Sequence, residues 1–143
     1  MARAQLDLSN QEHQHILERL EHDVIIWLAS VRPDGRPHLV PVWFLWEEPG
    51  TLLVFSQPNQ KVRNLREHPA VTLALDDTNN GDDGVIIEGV ATLLPTGVVT
   101  TELPAYAQKY GGRMAEIGMT PAQMAKSYSQ AIRITPTKFT VID

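Results

Sequence analysis

Apolar positions change rhythm several times along this chain. Near the start, Ile16 and Leu20 lie four apart with Leu6 or Leu8 ahead of them, a helical stripe. Ser9 followed three positions later by Glu12 has the form of a capping box, so a helix is predicted over about 9–22. The runs "DVIIWLASV" and "HLVPVWFLWE" are β-branched and aromatic, and the "RPDGR" between them makes them a hairpin. Pro33 presets φ in that turn and Gly35 accepts a positive value. Neither run alternates cleanly, which predicts strands covered on both faces, in a barrel or in a sheet that also supports a partner subunit.

"EEPGT" turns the chain into a third strand, "TLLVFS"; "AVTLALD" supplies a fourth and "GVIIEGVATLL" a fifth. From 97 to 130 the pattern becomes helical, in "VVTTELPAYAQKYGG" and in "TPAQMAKSYSQ", where Thr120 is the cap and Pro121 the first helical residue. The last run, "AIRITPTKFTVID", reads as a closing strand pair interrupted at Pro136. No internal repeat, low-complexity tract or linker is evident.

Composition bounds what such a chain does. At 143 residues and 43% hydrophobic content it supports one well-buried core, and a single domain over 1–143 is expected. A formal charge of −5 argues against non-specific nucleic-acid binding, which needs a broad basic face. With no cysteine there is no disulfide, thiolate metal site or thiol nucleophile. No apolar leader region or long uncharged apolar stretch occurs, so neither export nor a membrane is signalled and the cytoplasm is the expected compartment.

Against that acidic background "SQPNQKVRNLREHP" sets Lys61, Arg63 and Arg66 within six positions. Pro58 and Asn59 end the third strand and "KVRNLRE" reads as a short helix closed by His68 and Pro69, with Val62 and Leu65 facing the core. A lysine at a helix start adds charge where unpaired amides are already partly positive. A bound anion removes the conflict, and Lys61, free amides and the Ser56 hydroxyl would make a phosphate cradle. The alternative is a solvated basic helix with Arg63 paired to Glu67 at i,i+4. Spacing alone leaves both open.

The order strand, D-G-x-P turn, strand ending at P-V-W-F, strand, then K-x-R-N-L-x-x-x-P, over residues 24–75, resembles the split β-barrel flavin-binding superfamily related to pyridoxamine 5′-phosphate oxidase. With "GVIIEGVATLL" and the C-terminal "IRITPTKFTVID" the likeness extends over nearly the whole chain. It implies a mainly β fold, a split β-barrel with flanking helices like that of FMN-binding proteins. The short chain and the P-H-x-x-P-V-W-F pattern most resemble the branch that uses the deazaflavin coenzyme F420 in place of FMN. Members of the superfamily are homodimers with cofactors in grooves between subunits. By position, Lys61 would contact the cofactor phosphate, with Ser56, Gln60 and Asn64 nearby and Arg63 a further neighbour; Pro41, Val42, Trp43 and Phe44 would line the ring.

Two departures refine this. FMN-using oxidases of the family place an arginine where this chain has Pro41 and Val42, and the oxidase's C-terminal arginine and histidine motif is missing. The resemblance therefore implies an F420-dependent oxidoreductase that passes hydride to a small conjugated organic acceptor. An FMN enzyme, or a non-catalytic flavin, deazaflavin or tetrapyrrole binder, is the alternative. Such chemistry requires no side-chain nucleophile. His38, just after a turn, is expected at the surface. His13 and His15 lack the i,i+4 spacing of a helical metal pair. "DDTNNGDDG" has Ile87 where a calcium loop needs a bidentate glutamate, and reads as a connecting loop. "YGGRMAEIGM" follows no strand and so fails as a dinucleotide fingerprint. Trp27, Trp43 and Trp46 read as core, with Trp43 able to edge a groove.

Overall fold

The computed structural model describes residues 3–76 and 80–142. In chain order its elements are α1 (Gln11–His22), β1 (Ile25–Val31), β2 (Pro37–Trp43), β3 (Leu45–Glu47), β4 (Thr51–Ser56), α2 (Gln60–Glu67), β5 (Ala70–Leu75), β6 (Gly84–Leu93), α3 (Pro104–Glu116), α4 (Pro121–Ser127) and β7 (Gln130–Ile142). The strands form one antiparallel sheet in the order β2-β1-β5-β6-β7-β4-β3. β2 and β3 are opposite edges of that sheet, yet only Phe44 separates them in the chain. The sheet must therefore roll until its edges meet, which makes it a mainly β split barrel.

The sequence run expected as one strand divides at that point. Val42 and Phe44 face the barrel interior, whereas Leu45 joins the cluster packed under α3 and α4. The break falls at Phe44, where β2 ends at Trp43 and β3 begins at Leu45. β4 shows the same two-sided burial: Leu52 and Val54 fill the barrel, while Leu53 and Phe55 meet Tyr106, Tyr110, Met114 and Met124. Inside the barrel, Ile26, Leu28, Leu73, Ile87, Ile132 and Ile134 are closed over by Ile16 and Leu20 of α1. β4 is covered on both faces, whereas the outer face of β1 and β2, expected to be covered by barrel closure or a partner subunit, is left open by this chain.

Several local expectations are corrected. The N-cap of α1 is Asn10, whose side chain accepts from the Glu12 and His13 amides; Ser9 instead bonds the Asp7 carboxylate. The segment expected as helix from 97 begins to coil only at Pro104. Pro136 does not divide the final segment, for β7 runs unbroken through it. Pairing passes from Glu88 with Lys138 to Gly89 with Pro136, leaving Thr137 as the extra residue of a bulge. The bulge lies beside Pro136, which has no amide to give the ladder. A Cβ on Gly89 would come within 2.8 Å of the Thr135 carbonyl oxygen, so this crossing requires glycine. The "RPDGR" turn and the Thr120 cap with Pro121 form as expected, and Gln123 closes that cap into a capping box.

Arg19, 6% exposed, anchors α1 to the far end of the barrel. Its guanidinium pairs with Asp23 at 2.7 Å and Asp83 at 3.4 Å, and bonds the backbone carbonyls of Asp76 and Asp83. The acidic connection expected as a loop lies there, with 77–79 outside the described residues. Among the described residues no acid and histidine cluster has the form of a metal site. His15 pairs with Asp83 and His13 accepts from the Asp7 amide, so the two rings serve different partners. No helix among those residues is long and apolar enough to cross a membrane.

Candidate functional site

The basic segment forms α2 as expected, and its start carries an unresolved charge. Asn59 is the N-cap, but its side chain caps no amide, and the first turn holds no acid. Lys61 sits in that turn, half-buried, with its Nζ 3.3 Å from Asn59 Oδ1. Burial lowers its pKa, since charge is less well solvated there. Among the described residues no carboxylate pairs with Lys61 or Arg32. The chain thus holds a partly desolvated cation beside unpaired helix amides, an arrangement that favours an anion.

Lys61 lines one end of a groove of about 340 Å³. Ile25, Pro41, Val42, Trp43 and Phe55 line it from the sheet; Tyr106, Met124 and Tyr128 line it from α3 and α4, and Ile117 from the connection between those helices. Ile117 is 60% exposed there. The wall is thus apolar and aromatic, suited to flat rings. Burial raises the Tyr106 phenol far above its usual pKa, so it stays neutral.

Of the nine residues the sequence points to, four share this groove: Pro41, Val42, Trp43 and Lys61. The other five do not line it. Phe44 is fully buried in the barrel. Ser56 is also buried, and its hydroxyl donates to the Gln57 carbonyl at 2.6 Å instead of pointing outward. Asn64 is enclosed as well: it donates to Ser30 Oγ at 2.9 Å and accepts from Gln60 at 2.7 Å. Arg63 is exposed and donates to Gln60 Oε1 at 2.8 Å, so the proposed i,i+4 pair with Glu67 does not form. The Asn64 bond to Ser30 ties α2 to β1 and so fixes where Lys61 stands.

Three features lay outside the sequence reading. The aromatic wall from α3 and α4 is one, although Tyr106, Tyr110 and Met114 recur four apart in "AYAQKYGGRM" and mark a buried helix face. Tyr110 is the second. Its ring stacks on Trp43 with centroids 4.6 Å apart and planes within 5°, while its hydroxyl accepts from the Phe44 amide at 2.9 Å. The same hydroxyl faces the Val24 and Phe44 carbonyls at 2.7 and 2.9 Å. Lys109 is the third, donating to the Phe44 carbonyl at 2.8 Å with its ammonium 3.9 Å from the centre of the Phe44 ring. Burial lowers its pKa to about 8. Phe44 leaves the sheet ladder at the barrel seam, and α3 replaces the partners its backbone gives up.

The expected tryptophan core is corrected: the three are dispersed, and none is fully buried. Trp27 donates to Asp76 at 2.7 Å, Trp43 walls the groove and Trp46 meets Phe139 edge-on. His38 is also displaced from its expected surface setting. It is half-buried, and its Nδ1 is enclosed without a hydrogen-bond partner.

Seam, groove and α2 start together define a class: split β-barrels whose side groove joins a cationic end to an aromatic wall. The sequence model described as pyridoxamine 5′-phosphate oxidase matches residues 12–143, and the chain belongs to that family. An F420 reductase is similar at 27% identity and TM-score 0.67, over 86% of this chain and 94% of that one. A conserved hypothetical protein from Mycobacterium tuberculosis is 23% identical with TM-score 0.72, over 100% and 89%. HutZ, the heme storage protein from Vibrio cholerae, is 18% identical with TM-score 0.65, over 97% and 96%. These last two share the fold. No curated protein matches the chain.

Proposed function

We propose that the groove binds coenzyme F420 and that the protein is an F420-dependent oxidoreductase acting on a small conjugated organic acceptor. The observation that carries this reading is Lys61: a half-buried ammonium at an acid-free helix start, beside an aromatic slot. Lys61 and the α2 amides would hold the phosphate, while Trp43 and the β2 backbone at Pro41 and Val42 would hold the rings. A bound deazaflavin supplies hydride, so the protein's own tasks are to orient the ring, admit the acceptor and exclude water. Likeness to the F420 reductase supports the deazaflavin over FMN. So does the absence of an arginine at Pro41 and Val42.

The open outer face of β1 and β2 belongs to the same proposal. It presents Leu39, 61% exposed, beside Pro37 and Pro41, and its neighbour Trp43 borders the groove. A second copy seated there would cover these apolar side chains and extend one wall of the groove, giving a homodimer.

Adding F420 and FMN separately and following thermal unfolding tests the reading. A ligand present at 100 times its Kd stabilises by about 2.7 kcal/mol. Strong stabilisation by F420 and little by FMN is expected; the reverse would make this an FMN protein. Consumption of reduced F420 with quinones or enones separates an enzyme from a carrier, since a carrier turns nothing over.

A further inference from the structure

His38 feels the charge of Lys61 at the α2 start, and the phosphate reading leaves it unused. β1–β2 pairing sets it directly opposite Ser30, and Ser30 Oγ accepts from Asn64, one turn after Lys61 on α2. Its side alternates with exposed Leu39, so it turns toward the barrel end that α2 covers. Nδ1 is enclosed there with no partner, a cost that a ligand would remove. Burial, then the charges of Arg32 and Lys61, lower its pKa. Those two cations are the charged groups acting on it, one from the β1–β2 turn and one from α2. An anion beside Lys61 reverses the field.

We propose that His38 is a further binding residue of this site: its imidazole takes up a proton when an anionic ligand settles at Lys61, so affinity falls as pH rises. The inference rests on the reading of the groove as a phosphorylated-ligand site. Protonated, the ring donates to the anion from one nitrogen, adding a third positive partner. By linkage, a group that binds a proton more tightly in the complex gives tightest binding at low pH. The advantage is lost as pH passes from the free group's pKa to that of the complex.

The test is calorimetric titration of FMN and F420 at pH 6 and pH 8.5 into the protein and into His38→Gln. Proton equilibria of the ligand itself enter both proteins and cancel in the ratio of their affinities. The variant should bind about tenfold more weakly at pH 6 and equally at pH 8.5. Riboflavin, which lacks the phosphate, should give a ratio near one at both. The same ratio at both pH values, or a riboflavin ratio equal to that of FMN, would overturn the proposal while leaving the cofactor reading standing. Failure of both FMN and F420 to bind the unaltered protein would remove the cofactor reading first. A second readout needs no variant: among the five histidines, one imidazole should shift its titration upward in histidine-labelled NMR spectra when F420 is added. Five unmoved titrations would sink the idea.

Discussion

Lys61 matters because it is partly withheld from water. An exposed lysine would be solvated equally with or without an anion, whereas this one has lost solvation that a phosphate restores. Lys61→Ala should therefore weaken binding of the phosphorylated ligand by about 1.5 to 3 kcal/mol, with thermal unfolding nearly unchanged. Arg66→Ala, an exposed position on the same helix, should leave affinity unaltered in the same titration. Lys109 makes a different prediction. Its folded pKa of about 8 lies below the ordinary lysine value of 10.5, so the unfolded chain holds the proton more tightly. Stability should rise with pH from about 8 upward, by about 1–2 kcal/mol once its partial exposure is discounted. Lys109→Met should flatten that rise in a series of melts up to about pH 10, below the range where Tyr110, pushed up to about 12, acts in the opposite sense. Lys61 was legible in the sequence because a lysine conflicts with any helix start. The link between Phe44 and Tyr110 was not, because what joins them is a backbone amide, and side-chain spacing carries no record of that.

Elements were legible where one buried face met one periodicity. α1 declares itself in this way, whereas the β1–β2 hairpin declares itself by its β-branched runs and the "RPDGR" turn between them. The stretch "VWFLW" did not, since its continuous apolarity is equally that of one covered strand or of two strands meeting at a seam. Pro136 misled for a related reason: the bulge that accommodates it depends on Gly89 across the ladder, 47 positions away. In α3, Gly111 and Gly112 are adjacent in the helix interior, and no heavy atom lies within 4 Å of where either Cβ would stand. Neither space nor backbone geometry requires them. Replacing both by alanine should stabilise the protein by about 1–2 kcal/mol, read as a higher unfolding midpoint. A gain would show that α3 is held below its attainable helicity beside the groove.

At the scale of the molecule, helices cover one side of the barrel and leave the other apolar. α3 and α4 pack against β4, while β1, β2 and β5 carry a shallow outer hollow of about 430 Å³ lined by small residues such as Ala29, Val31 and Ala70. If that face seats a second copy, Leu39→Asp should convert a dimer to a monomer in sedimentation velocity, because a buried unpaired carboxylate is costly. A species of one chain mass for the unaltered protein would remove the interface. The weak alternation of the first hairpin pointed to cover on both faces, by barrel closure or a partner subunit, and could not say which face a helix takes.

The dispersal of the three indoles gives the molecule optical handles of its own. Trp43 stacks beside the slot, Trp27 sits on the bare outer sheet near Asp76, and Trp46 lies by the N-terminal segment against Phe139. Retaining one indole at a time, with phenylalanine at the other two sites, would let emission from a single chain report occupancy, self-association and N-terminal docking as separate signals, without an attached dye.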